Sequence, residues 1–506
     1  MGILKTVQRS KLYSEFDEEE RKKFFITEKK YISHIDTFYY SVFLENDYIG
    51  NVSSEIIDML ELLSECKNKL NEDGEEFWFD YDSKLLYSKK RYKLYEHCLS
   101  IQGMWDIFIA TNLPNEVTPR IHIQLRSESL WCLGEKYAIE RSFECLKRFL
   151  SEFNINILKV QENRIDYCYH TNIIQNAETY FSDDNLKNHL DSTMQIYNKV
   201  GRRGKGYLTV EYLSLGNRSS NNVFFRSYNK SREVCEMGYK SFFLDIWRAE
   251  GLISEYDYYI YSECYKRKRY DSIEKSMMQY YIDFGKDLTL KAKYISMMND
   301  DNCSVEVKRL ALKGIVPYPT LIMNIEYQTM RKFYYYADDL INGLPLLSDI
   351  KDDNLVRLFQ IIDNRKIYLK YLTGVTVSFK RDLKLKEKGK TEKEIYMDFW
   401  YRLRSCKVDG IKDTEYIRKY NKNLNIELLQ KRLRSNLASL SLYMGNDNTS
   451  IDEDMSCLIS ILNDNSQIYD DNGIIIDIDY NKLKEKKKKA LNNILNKHKN
   501  LRPSEK

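Results

Sequence analysis

Two apolar, β-rich runs on either side of a polar turn specify a hairpin between Gly206 and Lys230, and that hairpin constrains the rest of the reading. The turn, Gly216 to Asn222, has the Gly/Asn/Ser composition that reverses a chain. The run after it, Val223-Phe-Phe-Arg-Ser-Tyr-Asn-Lys230, alternates. Side chains two apart on a strand share a face, so Arg226, Tyr228 and Lys230 are expected to project together. Two other runs read as strands with chemistry on one face. Ile157–His170 presents Arg164, Asp166, Cys168 and His170, and Phe242–Glu250 presents Arg248 and Glu250.

The remaining pattern points to an α+β fold, with a central, mainly antiparallel sheet of split βαβ type followed by helical C-terminal regions. Strand-like runs occur at Thr37–Phe43, Phe77–Tyr81 and Arg120–Arg126. Apolar residues at helical spacing predict helices over Ser53–Asn71 and Glu135–Phe153, the latter with a stripe of Ala138, Phe143, Leu146, Phe149 and Leu150. Asp183–Lys199 reads as a helix. From Ile253 to Tyr371 the pattern is helical, with one short extended interruption at Val316–Pro319. A charged stretch, Lys380–Lys393, precedes basic helical segments over 394–445 and Lys482–Lys499, with a strand at Ile474–Tyr480 between them. The expected organisation is an N-terminal α/β accessory region (1–95), a catalytic core (96–265), a helical region packed on it (266–378), and a basic, mostly helical C-terminal region (379–506).

Composition excludes several classes. The 506 residues carry a net charge of only +4, so any anionic partner must be met by a local patch. The 41 tyrosines accompany few prolines and many Lys, Asn and Ile, which indicates an AT-rich coding bias rather than a binding surface. Ten cysteines without one CxxC spacing read as reduced core thiols, not as a zinc site. With no apolar run of membrane-spanning length and no hydrophobic leader, the expectation is a cytoplasmic protein without membrane contact. No GxxxxGK[ST] sequence is present, so no ATPase is built in.

Brought together in a sheet, the three candidate strands supply a phenol, two carboxylates and several cations. That set suits attack on a phosphodiester. Tyrosine attacks as the phenolate, and its ordinary pKa is about 10; neighbouring Arg226 and Lys230 favour the anion. Carboxylates can hold Mg²⁺ or Mn²⁺ against a phosphate oxygen. The bland alternatives are a salt-bridged Asp166, an amphipathic sheet tyrosine at 228, and a strand-end polar residue at His170. His122 has no second histidine two residues away, so the paired-histidine metal motif of one class of nicking enzymes is missing. No His-x-x-Arg occurs, which argues against a tyrosine recombinase.

Taken in order, five blocks resemble the replication initiation factor family (the Rep_trans group of rolling-circle plasmid initiators and related conjugative-element relaxases). They are Ile121–Glu128, Arg164-Ile-Asp166, Leu215-Gly-Asn-Arg-Ser-Ser220, Phe225-Arg-Ser-Tyr-Asn-Lys230 and Trp247-Arg-Ala-Glu250. Arg218, Ser220, Arg226, Tyr228 and Lys230 match the family pattern; Asn217, Ser219 and Asn229 depart from it. The resemblance spans about residues 96–265. It implies an origin-binding nickase in which Tyr228 forms a 5′-phosphotyrosyl link. Arg226 and Lys230 would contact the scissile phosphate, and Arg248 would support Glu250. Asp166 and Glu250, with His170 at a position where an acid is expected, would hold Mg²⁺ or Mn²⁺. Arg164, Arg218 and Ser220 would contact DNA, and the basic run Lys266-Arg267-Lys268-Arg269, which follows these blocks directly, is expected from its charge to flank it. Tyr212 and Tyr207 compete as nucleophiles. The implied partners are an origin DNA and a host helicase and polymerase; a homodimer is compatible but not required. Two other readings stand beside it: a non-cutting, sequence-specific origin binder of the same fold, and a helical interaction protein with an accidental β motif.

Overall fold

The computed structural model describes residues 11–24, 26, 28–72, 76–79, 85–194, 199–203, 209–218, 222–341, 355–408, 468–469 and 475–476. The chain divides into two compact units, 1–81 with 85–412, and 82–84 with 413–506. In the second, the described part is one antiparallel pairing of Ile468–Tyr469 with Ile475–Ile476, inside the strand expected at Ile474–Tyr480. The basic helix expected over Lys482–Lys499 and most of 394–445 lie outside the described residues. Among the described residues no helix is long and apolar enough to cross a membrane.

The first unit is built on an eleven-stranded sheet. In chain order its strands are β1 (Tyr31–Leu44), β2 (Trp78–Phe79), β3 (Leu85–Tyr87), β4 (His97–Ile101), β5 (Trp105–Ile109), β6 (Ile121–Leu125), β7 (Ile157–Thr171), β8 (Lys199–Arg203), β9 (Thr209–Leu215), β10 (Val223–Asn229) and β11 (Met323–Met330). Across the sheet they run β8-β9-β10-β11-β7-β1-β6-β5-β4-β3-β2, and every neighbouring pair is antiparallel. The chain is α+β, as its pattern predicts. β6 and β7 flank β1, and the helix Glu135–Ser151 joins them, so the split βαβ unit is real. β1 lies at the middle of the sheet, so the expected N-terminal accessory region contributes the sheet's central strand.

Alternation along the strands divides the sheet into two faces. Residues directly opposite in an antiparallel pair share a face. One face is apolar: Ile107, Ile123 and Tyr40 line up across three strands, and Tyr167, Tyr327, Phe225 and Leu215 across four. All seven are buried. Helices dock here. Tyr40 Oη meets Ser142 Oγ of the Glu135–Ser151 helix at 2.7 Å, and Tyr334 of the helix Arg331–Leu340 donates to Tyr167 Oη at 3.1 Å. The expected stripe Ala138, Phe143, Leu146, Phe149 and Leu150 is buried throughout. The opposite face is polar and carries the candidate site.

Three expectations are corrected. Phe242–Ala249 is a helix, not a strand; its buried Phe243, Leu244, Ile246 and Trp247 follow a helical stripe. Among the described residues of Asp183–Lys199 the helix covers Asp183–His189, after which Leu190–Ser192 pairs with Val377–Phe379. The stretch expected to be helical from Ile253 to Tyr371 contains β11, one of the sheet's inner strands. Six α-helices lie between β10 and β11: α1 (Lys230–Glu236), α2 (Phe242–Ala249), α3 (Glu255–Lys266), α4 (Ile273–Phe284), α5 (Leu288–Asn299) and α6 (Val305–Leu312). They form an excursion between two adjacent strands.

Ile123 is fully buried on the apolar face. Ile123→Ala is expected to cost about 3 kcal/mol through lost transfer energy and a residual cavity, read as a lower urea midpoint with an unchanged slope.

Candidate functional site

β10 places Arg226 and Tyr228 on the polar face, opposite Glu326 and Asn324 of β11. The tyrosine hydroxyl is the hub of the cluster. Lys230 Nζ lies 3.3 Å from it, and Asn324 Nδ2 donates to it at 3.0 Å. It donates toward Glu326 Oε2 at 3.3 Å and Glu233 Oε2 at 3.4 Å. Arg226 holds Glu326 through Nε at 2.8 Å, and its guanidinium lies 5.0 Å from the centroid of the Tyr228 ring. Burial pushes the Tyr228 phenol well above its ordinary pKa, against the opposing pull of Lys230. Burial also raises the Glu326 carboxyl, opposed by Arg226 and reinforced by Asp166 and Asp36.

Lys230 is not the last residue of the strand, as alternation implies, but the first of α1. Its backbone N–H donates to Ile322 O at 2.9 Å, and its side chain has no exposed surface. The ammonium sits between Asp36 Oδ2 at 3.3 Å and Glu233 Oε2 at 2.7 Å. Burial works against its charge, but Asp36 and Glu233 outweigh that and raise its pKa well above the ordinary value. Asp36 reaches it because β1 bulges there. Ile35 faces Tyr167 and Thr37 faces Asp166, leaving Asp36 as the extra residue. A bulge re-aims a side chain in this way. Lys240 Nζ closes the group on Glu233 Oε1 at 2.7 Å.

The other expected residues distribute unevenly. Asp166 is on the polar face, 1% exposed, and engaged by Arg164 through two bonds, Nε at 2.8 Å and a terminal nitrogen at 2.5 Å. Arg218 is exposed and donates to Gln328 Oε1 at 3.1 Å; Ser220 and Tyr207 lie outside the described residues. Tyr212 faces Tyr228 across the β9–β10 pair. His170 is walled in by Trp131, Phe243 and Trp247, and Trp247 Nε1 donates to its Nδ1 at 3.1 Å. Burial and the nearby Lys230 hold its pKa well below the ordinary value. Trp131 is itself sandwiched between His170 and His34, with ring centroids 4.6 and 4.5 Å away.

Glu250 and Arg248 do not join the sheet. Glu250 caps the C-terminus of α2 and pairs with Lys30 at 3.7 Å. Arg248 stacks its guanidinium 3.9 Å from the Tyr258 ring centroid and pairs with Asp245 and Glu255. Lys266, Arg267, Lys268 and Arg269 end α3 as an exposed run, two of them tied to Glu263. Asp166, His170 and Glu250 therefore do not fit a shared divalent ion. One is bound by arginine, one is enclosed by indoles, and one lies on a helix end. Among the described residues no group of three or more His, Cys, Asp or Glu could hold a metal.

Sequence reasoning missed Asp36, Glu233, Asn324 and Glu326. The last two had a signal: Met323-Asn-Ile-Glu-Tyr-Gln-Thr-Met330 alternates as cleanly as β10. Asp36 had none, because a bulge leaves no mark in spacing.

Asp36→Asn is expected to destabilise the protein by about 3 kcal/mol, since removing one partner leaves a buried charge undercompensated; thermal or urea unfolding measures it. Glu233 is depressed to about 2, because Lys230 and Lys240 outweigh the effect of its burial. Its pairing energy is present above the unfolded carboxylate pKa of about 4 and is lost as pH falls through the folded value. Glu233→Gln is expected to flatten the stability-against-pH curve between about pH 4 and pH 2. In comparisons with known proteins, no family model and no curated protein matches the chain.

Proposed function

We propose that this chain is a DNA strand nickase of the replication-initiator kind, with Tyr228 as its nucleophile. The observation that carries the reading is the convergence on one phenolic oxygen of a cation, an amide donor and a carboxylate, with a second cation across the ring. A phosphate entering beside Arg226 competes with Glu326 for the guanidinium. The released carboxylate, already raised in pKa by burial, is then the base nearest the phenol. It takes the proton as the phenolate attacks phosphorus. The bond from phosphorus to the 3′ oxygen breaks, that oxygen leaves with a proton from solvent, and the 5′-phosphate stays on Tyr228. Arg226 and Lys230 stabilise the charge on the pentavalent transition state.

In this reading the DNA is a replication origin, and a host helicase and polymerase extend the nicked strand. A divalent ion would require Arg164 or Arg226 to release its carboxylate, so no step is routed through one. The second reading, specific origin binding without cutting, is favoured by one observation: the Lys230 ammonium is wholly enclosed by its own partners, Asp36 and Glu233, with Tyr228 half-buried beside it.

The test is a denaturing-gel assay on supercoiled DNA from the chain's own replicon, with Mn²⁺, with Mg²⁺ and with chelator. Wild type is expected to give a covalent protein–DNA adduct, and Tyr228→Phe none. An adduct with both proteins moves the nucleophile to Tyr212. Specific binding without any nick identifies the non-cutting origin binder.

A further inference from the structure

The polar face continues beyond the Tyr228 cluster, onto the half of the sheet formed by β1, β6, β5 and β4. Arg164, Tyr39, Gln124 and Asp106 stand directly opposite one another on four adjacent strands, a row roughly 14 Å long at the usual strand spacing. Beside its far end is the connection from β3 to β4, which reads Lys89-Lys90-Arg91-Tyr92-Lys93. The four cations are exposed. Tyr92 is half-buried and held in a tight turn, exchanging backbone hydrogen bonds with Tyr95 at 3.2 and 2.8 Å.

Three features go beyond a solvated loop. First, charge does not balance: Lys90 and Arg126 share the single buried carboxylate of Asp106, at 2.6 and 3.0 Å. Lys89, Arg91 and Lys93 add to that excess. Second, Tyr92 is backed as a stacking platform. The His122 imidazole lies beneath it with centroids 4.8 Å apart and planes 8° apart, and the Lys93 ammonium lies 5.4 Å from the ring centroid. Third, two side chains on this face, each at least 97% buried, have a polar atom without a hydrogen-bond partner among the described residues: Gln124 Nε2 and His122 Nε2.

Resting on the reading of the chain as a DNA-acting protein, we propose that this half of the sheet is a binding track for single-stranded DNA. The Lys89–Lys93 turn and Arg126 hold phosphates, Tyr92 stacks a base, and Tyr39 and Arg164 lead the strand toward Tyr228. A positively charged groove with aromatic platforms binds single strands without reading sequence, because every base has a π-face. Arg164 is placed to continue the path, with its guanidinium 5.1 Å from the Tyr39 ring centroid.

The experiment is fluorescence anisotropy of a short labelled oligothymidylate and of a mixed-sequence duplex with the full chain, across a salt series. Two variants are compared with wild type: Lys89, Lys90, Arg91 and Lys93 all changed to Ala, and Tyr92→Leu. The charge variant is expected to lower single-strand affinity strongly and to make the log–log salt slope shallower by about 2–3, at roughly 0.7 per phosphate contact. Tyr92→Leu is expected to weaken single-strand binding about tenfold, the effect of losing one stacked base, with duplex binding unchanged. Unchanged single-strand affinity in the charge variant overturns the track. So does a loss shared equally by the duplex together with an inert Tyr92→Leu, which would mark a duplex-backbone patch. The covalent adduct is scored in parallel. An adduct without a track effect leaves the nickase standing alone; a track effect without an adduct leaves the track and removes the nickase.

Discussion

An ammonium group with no access to water must be neutralised where it stands, and the arrangement around Lys230 follows from that requirement. Stripping a charge of solvent costs several kcal/mol even after relaxation. One compensating carboxylate is distant in the chain, Asp36 from the bulge in β1, and the other is local, Glu233 one turn along α1. The interaction therefore joins the middle of the sheet to the start of the helical excursion. It also decides the setting of Tyr228, whose hydroxyl lies 3.3 Å from the same ammonium. Without that cation, the hydroxyl flanked by Glu326 and Glu233 would be left with one amide donor and the more distant Arg226 across the ring.

A second regularity runs along the same face. Three guanidiniums, of Arg126, Arg164 and Arg226, are each gripped through Nε by a carboxylate that is essentially buried: Asp106, Asp166 and Glu326. The acid anchors the base of each fork while part of the guanidinium remains accessible, with side-chain exposures of 41, 15 and 22%. Such pairs add little net stability, but they fix rotamers. An arginine already ordered loses less entropy when it meets a phosphate. The apolar face contributes the folding energy, and the polar face is left to specify positions.

The split βαβ unit, the hairpin and the apolar stripes were legible because each rests on local periodicity. Arg226 and Tyr228 were placed correctly for that reason. Arg248 and Glu250 were misplaced because Phe242–Glu250 is a short apolar run, and such a run satisfies strand and helix patterns alike. β11 was overlooked because it follows a long helical stretch, although its own alternation is regular. The partners of Lys230 were hidden by the strand reading of that residue. Asp36 meets it only through a bulge, and Glu233 meets it one turn on only because the strand ends and α1 begins at Lys230 itself.

β1 has a further consequence, which concerns how the chain is made. It is the first strand of the sheet to leave the ribosome, yet it lies at the centre and bonds on both sides, to β6 and to β7. Its longer partner ends at Thr171, more than a hundred residues later. At synthesis rates of about 5–20 residues per second, that leaves one edge of a mostly apolar strand unpaired for roughly 10 s. The edge that later closes the core is, during translation, a template open to any other strand.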